Sequence, residues 1–222
     1  YGFGDIDNVI TAREFEAMSA SGKILLKNGS PPQSVALLHC VGREEKGYCS
    51  KVCCLYSLKF AHQLREKQPS VDVYEFYTDL CLPEKTDQEY FEEAKKRGVH
   101  FIRSDEIKVK KKDGKIGIEY AAGTGKGEAV EVDMAVLAPA MVPAKGSDRL
   151  ARMLNIRLDE TGFFKEAHFM LDPIAAPIEG IYIAGCASGP KNIPESIVQA
   201  QAASGKILST LVPGRKLEPE VK

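Results

Sequence analysis

The sequence predicts an α/β fold: a parallel, helix-flanked sheet with a three-stranded antiparallel insertion. Three observations predict it. Short continuous apolar runs alternate with helical patterns between residues 34 and 102, the mark of parallel strands buried on both faces. Three alternating, Gly-punctuated segments follow between residues 107 and 132, as antiparallel hairpins do. An apolar run at 134–138 then restores the buried-strand pattern, and Pro139 ends it.

The elements follow in order. Residues 8–11 form a short strand-like run, and Thr11 with Glu14 fits a capping box for a helix to about Ala20. Gly29-Ser30-Pro31-Pro32 breaks the chain, so residues 1–34 read as a lead-in and hinge. The run 34–39 is a strand, 40–49 a loop, and Ser50 caps a helix to about Glu66 with Val52, Leu55, Tyr56, Phe60 and Leu64 at helical spacing. A strand at 71–76, a helix capped by Thr86 or Asp87 and stopped by Gly98, and a strand at 99–102 complete a Rossmann-like βαβ series. Antiparallel strands are expected at 107–109, 115–120 and 129–132, with Gly-rich turns between them. Beyond residue 140, the pattern predicts a helix at 148–154, a buried strand at 180–185, and a helix from Pro194 to about Leu211 stopped by Pro213-Gly214, with a polar, frayed tail from Arg215.

Composition narrows the function. The 222 residues carry 30 basic and 31 acidic side chains, so no global field favours nucleic acid or an anionic membrane. No stretch approaches the roughly 18 consecutive apolar residues of a membrane helix. The start, Tyr1-Gly2-Phe3-Gly4-Asp5, has neither the charged nor the apolar region of a signal peptide and no initiator Met. A fragment of a cytoplasmic protein is therefore expected, in which six cysteines are thiols or metal ligands rather than disulfides.

Four of the six lie within fifteen residues, as Cys40, Cys49, Cys53 and Cys54. Cys40 ends a predicted strand, and Cys53 and Cys54 fall in the first turn of the next helix, so all four thiols are expected at one strand–helix junction. A helix N-terminus lowers thiolate pKa values, and nearby amides can donate to sulfur. Four thiolates suit a [4Fe–4S] cluster. A structural zinc also takes four cysteines, but usually as paired C-x2-4-C knuckles, which adjacent Cys53-Cys54 match poorly. Unliganded thiols or a local disulfide are the third option. The turn lacks the G-x-G-x-x-G phosphate loop, and Glu44 and Glu45 oppose a phosphate, so no nicotinamide site is assigned. Cys81 stands apart as a partly buried, unliganded thiol.

The segment 180–204 is the other distinctive stretch. Gly185, Ala187, Ser188 and Gly189 let backbone approach a ligand, and the helix that follows aims its amides there. Ordinary tight strand–helix packing explains the same pattern. Of the histidines, His39 is placed to tune the cysteines or to be a satisfied core residue, His62 and His100 read as structural, and His168 carries little weight as a proton donor. No triad or paired catalytic carboxylates are evident.

Taken together, His39-Cys40-Val41-Gly42-Arg43, Tyr48-Cys49-Ser50-Lys51-Val52-Cys53-Cys54 and Gly185-Cys186-Ala187-Ser188-Gly189-Pro190-Lys191-Asn192-Ile193-Pro194-Glu195-Ser196 resemble the A subunit of heterodisulfide reductase. The resemblance covers nearly the whole chain. It implies an oxidoreductase subunit with a two-dinucleotide-binding-domain flavoprotein fold related to thioredoxin reductase, holding FAD and a [4Fe–4S] cluster. Cys40, Cys49, Cys53 and Cys54 would ligate the cluster. Gly185, Cys186, Pro190, Lys191, Asn192 and Ile193 would line the flavin, with Cys186 standing where generic flavin reductases place an Asp. Residues 35–140 would be the NAD(P)-binding-like domain and 141–222 the returning C-terminal part of the FAD domain. The implied partners are other heterodisulfide-reductase-like subunits and ferredoxin or hydrogenase-type electron carriers, and a homodimer is compatible. The family's Gly-rich FAD turn and ferredoxin-type cysteine runs are absent from this sequence. The alternatives are a zinc-stabilised interaction domain and a dithiol/disulfide reductase using Cys53-Cys54, a pair whose adjacency strains a disulfide.

Overall fold

The computed structural model describes residues 1–121 and 127–211. The expected Gly-rich turn through 122–126, the Pro213-Gly214 stop and the tail from Arg215 lie outside the described residues. The chain divides into two compact units, Tyr1–Ala140 and Met141–Lys222.

In the first unit, β1 (Val9–Thr11) leads into α1 (Ala12–Ala20) through the expected capping box. The Thr11 hydroxyl accepts from the Glu14 amide and the Glu14 carboxylate accepts from the Thr11 amide at 2.7 Å. Next come β2 (Ser34–Val41), a one-turn helix α2 (Arg43–Lys46), α3 (Cys53–Lys67), β3 (Asp72–Tyr77), α4 (Lys85–Lys96) and β4 (His100–Arg103). The strands β5 (Ile107–Lys111), β6 (Ile116–Ala121) and β7 (Gly127–Val132) precede β8 (Met134–Pro139). The order β1-β8-β2-β3-β4 is parallel throughout, and β5-β6-β7 form the predicted antiparallel sheet.

The layers explain the sequence pattern. Successive residues of a strand face opposite sides. Val35 and Leu37 of β2, with Met134 and Val136 of β8, pack against α1, α3 and α4 through Phe15, Leu58, Phe60, Leu64, Phe91 and Ala94. Their neighbours Ala36, Leu38, Ala135 and Leu137 pack with Phe76 against Ile116, Ile118 and Val132 of the antiparallel sheet. Both faces of the parallel sheet are therefore covered, which is why its central strands read as unbroken apolar runs.

Two boundaries differ from the sequence expectation. Helix α3 begins at Cys53 after Val52, not behind a Ser50 cap, and α4 is capped by Glu84, with Asp87 as its reciprocal third residue. The turn α2 was expected to be loop; Gly42 and Gly47, at φ 81° and 76°, enclose it.

The second unit holds α5 (Ser147–Leu154), a 3-10 turn (Gly185–Ser188) and α6 (Ile193–Thr210) round a small core of Ala151, Ile156, Ala176 and Ile183. The strand expected at 180–185 is not formed. Tyr182 makes only an isolated antiparallel bridge to Ala175, although Ile183 is buried. The Ile183 amide donates to the Ile174 carbonyl at 2.7 Å and the Ala176 amide to the Ile181 carbonyl at 2.9 Å, a pairing too short to make a strand.

Asp133 joins the sheets of the first unit. Its Oδ2 accepts from the Gln33 and Ser34 amides at 2.8 and 3.0 Å, and its Oδ1 lies 2.7 Å from Lys115 Nζ, at the mouth of the insertion. Burial alone raises its pKa, but Lys115 and the two amides outweigh that and hold the carboxyl below the usual range. A depressed folded pKa contributes stability above the unfolded pKa that is lost as pH falls through the folded one. Asp133→Ala should cost about 2 kcal/mol at neutral pH. In urea melts the cost should shrink as pH is lowered through the acidic range; a pH-independent difference would remove this account of the joint.

Candidate metal centre

The C-terminal end of β2 is irregular. Its register with β8 shifts between Leu38 and Val41, and Cys40 adopts a left-handed backbone at φ 57°. Lys51, just before α3, is also left-handed at φ 62°. Non-Gly residues in this region cost on the order of 1–2 kcal/mol each and persist where the surroundings impose them, often at functional sites. Here the two strained positions bracket the loop carrying Cys40 and Cys49.

The four cysteines lie around this junction and share neighbours in twos and threes. Cys40 Sγ and Cys54 Sγ lie 4.0 and 3.8 Å from the main-chain carbonyl of Asp79. The amide of Cys81 donates to Cys54 Sγ and that of Lys51 to Cys49 Sγ, each at 3.3 Å. Cys40, Cys49 and Cys53 line one hollow of about 10 Å³ with Ser50, Ala138 and Ala140. Among the described residues no side chain caps the N-terminus of α3, whose first residues are Cys53 and Cys54. Its field is thus left to act on the sulfurs.

The electrostatics divide the adjacent pair. Cys53 is drawn down to about 6, first by the hydrogen bond from the Cys54 thiol, against burial, and with help from His39 and main-chain hydrogen bonds at Cys40 and Cys54. Cys54 is pushed up by giving that hydrogen bond and by burial. Sharing one hydrogen bond thus pushes the two thiols in opposite directions, Cys53 down and Cys54 up. Tyr56, one turn along α3, is held protonated by burial and by these sulfurs.

The thiols are gathered but not closed. Among the described residues no three Cys, His, Asp or Glu side chains stand in a metal-holding arrangement. The hollow between the sulfurs is too small for a polynuclear group. Space lies next to it, where Cys40 and Cys49 also line a cleft of about 1000 Å³ with Gly42, Arg43, Glu44, Tyr48 and Asp105. The donor set fits a thiolate-bound cluster in kind: one depressed thiolate, amide donors to two other sulfurs, and an uncapped helix start.

Two partners were not legible in the sequence. Cys81, read as separate, packs against the cluster of Cys53, Cys54 and Ala138, because the segment after β3 returns to the end of β2. His39 is fully buried with its Nε2 2.9 Å from Glu75 Oε2 on the neighbouring strand, also fully buried. The pair is at ion-pair distance but not in hydrogen-bonding geometry, and these buried atoms have no other partner among the described residues. His62 contacts the Tyr90 carbonyl at 3.0 Å and stacks on its ring, and His100 stacks on Tyr74, as structural histidines do. His168 Nδ1 accepts the amides of Met170 and Leu171 and shapes a turn.

In the second unit the predicted flavin-lining residues form one loop. Gly185 is left-handed at φ 61°, and its amide donates to Gln199 at 2.8 Å. The Cys186 thiol meets the Lys191 carbonyl at 3.6 Å, and Lys191 Nζ meets Ser188 Oγ at 3.1 Å. Pro190 leads into this stretch, Asn192 caps α6 reciprocally with Glu195, and Ile193 is largely exposed. The Glu195 carboxylate offsets part of the positive end of α6.

No protein-family model matches the chain. Curated relatives do. The chain is 39% identical over 214 residues to a protein of Archaeoglobus profundus described as like the A subunit of heterodisulfide reductase, covering 94% of the chain and 30% of that protein. It is 36% identical to the iron-sulfur A subunit of a CoB–CoM heterodisulfide reductase of Methanopyrus kandleri, covering 100% of the chain and 36% of that protein. It is 35% identical to the A subunit of a ferredoxin/F(420)H(2)-dependent CoB-CoM heterodisulfide reductase of Methanosarcina acetivorans, at 96% and 28% coverage. The chain thus spans about a third of the length of these relatives. Among solved structures, T. acidophilum thioredoxin reductase superposes with a TM-score of 0.53 at 16% identity, over 80% of this chain and 52% of that one, a likeness of fold alone. Over the segment it spans, the chain belongs to the family of heterodisulfide reductase A subunits.

Proposed function

We propose that this chain is the cluster-bearing part of an oxidoreductase subunit that passes electrons between FAD and a [4Fe–4S] cluster and on to partner subunits. Cys40, Cys49, Cys53 and Cys54 would ligate the cluster, and residues 185–193 would line the flavin. The observation that carries the reading is the strained junction itself: Cys40 and Lys51 are held left-handed, Cys40, Cys49 and Cys53 border one hollow, and Cys54 shares the Asp79 carbonyl with Cys40. The names of the relatives support the same chemistry, since one of them is described as an iron-sulfur subunit.

When bound, such a cluster carries single electrons, and a flavin links two-electron to one-electron chemistry. The chain's own residues do the rest. The α3 N-terminus and the amides of Lys51 and Cys81 present positive dipoles to sulfur, which favours the reduced state. Buried Ala138 and Leu38 behind the junction exclude water from its inner side. The cleft lined by Cys40 and Cys49 leaves the outer side open, where a partner can approach. Other subunits of a heterodisulfide-reductase-like complex, ferredoxin and hydrogenase-type carriers are the proposed partners, and the cytoplasm the proposed location. Among the described residues no helix is long and apolar enough to cross a membrane.

In the second unit, the left-handed Gly185 and the short side chains after it keep the backbone bare before α6. Ile193, Ile197 and Val198 expose apolar surface along the first turns of that helix. A flat, largely apolar ring system suits such a surface, while Glu195 tempers the charge that α6 presents.

Chain purified without oxygen should contain iron and acid-labile sulfide in equal amounts and a broad visible absorbance. Cys→Ser at 40, 49, 53 or 54 should each lose most of it, while Cys186→Ser keeps it. Colourless protein carrying one zinc would replace this function with a structural one. For the flavin, Asn192→Ala removes the α6 cap, costing about 1 kcal/mol of helix stability. It should weaken FAD binding by severalfold in fluorescence titrations; unchanged binding would take residues 185–193 out of the flavin site.

A further inference from the structure

Asp79, in the segment after β3, touches the junction twice. Its main-chain carbonyl lies over Cys40 and Cys54, and its carboxylate accepts from Arg43 Nη1 at 2.9 Å while lying 3.8 Å from Arg103 Nη2. Arg43 is the first residue of α2. It lines the small hollow together with Cys40, Cys49 and Cys53, and it lines the open cleft as well. Arg43 and Cys40 border the same hollow, and the nearby sulfur and the Asp79 carboxylate both favour the charged form of the guanidinium. An arginine keeps its proton under all relevant conditions, so this is a permanent charge.

As a stabilising contact the pair counts for little, because both side chains are more than a third exposed. Its position matters more. The guanidinium of Arg43 donates to a carboxylate and borders a hollow shared with three of the cysteines, and the same residue that supplies the carboxylate also supplies the carbonyl near two sulfurs. Charge beside a redox centre shifts the balance between its oxidised and reduced forms.

We propose that Arg43, pinned by Asp79, is a positioning residue that holds a fixed positive charge against the Cys40 ligand and sets the reduction potential of the centre. The inference rests on the cluster reading of the four cysteines. The step concerned is the gain of one electron by the cluster from an external one-electron donor. No bond forms or breaks, and no proton needs to move. Arg43 stabilises the extra negative charge, and Asp79 limits that effect while fixing the direction in which the guanidinium points.

The test is a redox titration of the anaerobically prepared chain, read by the electron paramagnetic resonance of the reduced cluster. Arg43→Gln should lower the midpoint potential by about 59 mV, a tenfold fall in the one-electron reduction equilibrium. Asp79→Asn should raise it, since it removes the opposing charge and leaves the carbonyl in place. Arg43→Lys should stay near the wild-type value. Loosened packing moves both neutral variants the same way, so opposite signs identify the charge effect. If Arg43→Gln does not fold, the Asp79→Asn shift decides alone. A cluster present at full stoichiometry whose potential neither variant moves, or both move together, overturns the role of Arg43 only. A chain that takes up no iron or sulfide overturns the cluster reading and this inference with it.

Discussion

The structure of the first unit depends on β2 being covered on both faces for most of its length and then departing from its ladder at one point. From Ser34 to Leu38 the strand pairs in register with β3 and β8, and each side chain drops into one of two apolar layers. Leu37 and Leu38, on opposite faces, are both buried. Removing several such side chains from water stabilises the strand by roughly 1.5–3 kcal/mol each. That anchorage is what makes a left-handed Cys40 tolerable: the ladder before it and the pairing of Val41 with Pro139 after it fix the chain on both sides of the shift. The distortion is thus sustained by the most rigid part of the fold, and its effect is to turn a cysteine out of the sheet towards the start of α3.

The same constraint accounts for where the remaining groups lie. In a parallel sheet with helical crossovers, the C-terminal strand ends and the following helix starts share one edge. The segments leaving β2 and β3 are therefore neighbours although the residues are far apart in sequence. Asp79 and Cys81, which follow β3, meet Cys40 and Cys54 for that reason. In a dinucleotide-binding fold this edge receives a pyrophosphate. Here α2 fills the turn with Glu44 and Glu45, and the sulfurs occupy the approach to the helix N-terminus. The frame is retained, and the cysteines stand where a phosphate would otherwise sit, as the proposed cluster site requires.

Much of this was legible in the residues because the relevant signals are local. Apolar runs reported two-sided burial, the Thr11/Glu14 spacing reported a capping box, and four clustered cysteines before and within a helix start reported a junction. What stayed hidden was non-local. Nothing adjacent to Cys81 in sequence points to Cys54, and nothing near His39 points to Glu75, since the first contact joins the segment after β3 to α3 and the second joins two strands. The strand expected at 180–185 failed for a related reason. Its apolar pattern reports that Ile183 is buried, but periodicity cannot report how far a partner runs alongside: the antiparallel pairing with residues 174–176 stops after a single bridge.

The buried His39–Glu75 contact gives the clearest measure of how specialised the junction is. A carboxyl and an imidazole, both fully buried and without other partners among the described residues, cost stability compared with an apolar pair of the same size. Each sits within the central strands, where Leu or Val at those positions would extend the cores on either side. A fold selected for stability alone has no use for them. His39 directly precedes Cys40 and lies at the same end of β2 as the cysteines. The pair therefore belongs with the left-handed Cys40 and the uncapped α3 as a third local cost concentrated at one end of β2. Costs of different physical kinds, in backbone conformation, helix capping and buried polarity, converge on the sulfurs and are scarce in the strands leading up to them. That distribution is the one the proposed thiolate-bound centre calls for, and a merely well-packed sheet edge has no need of it.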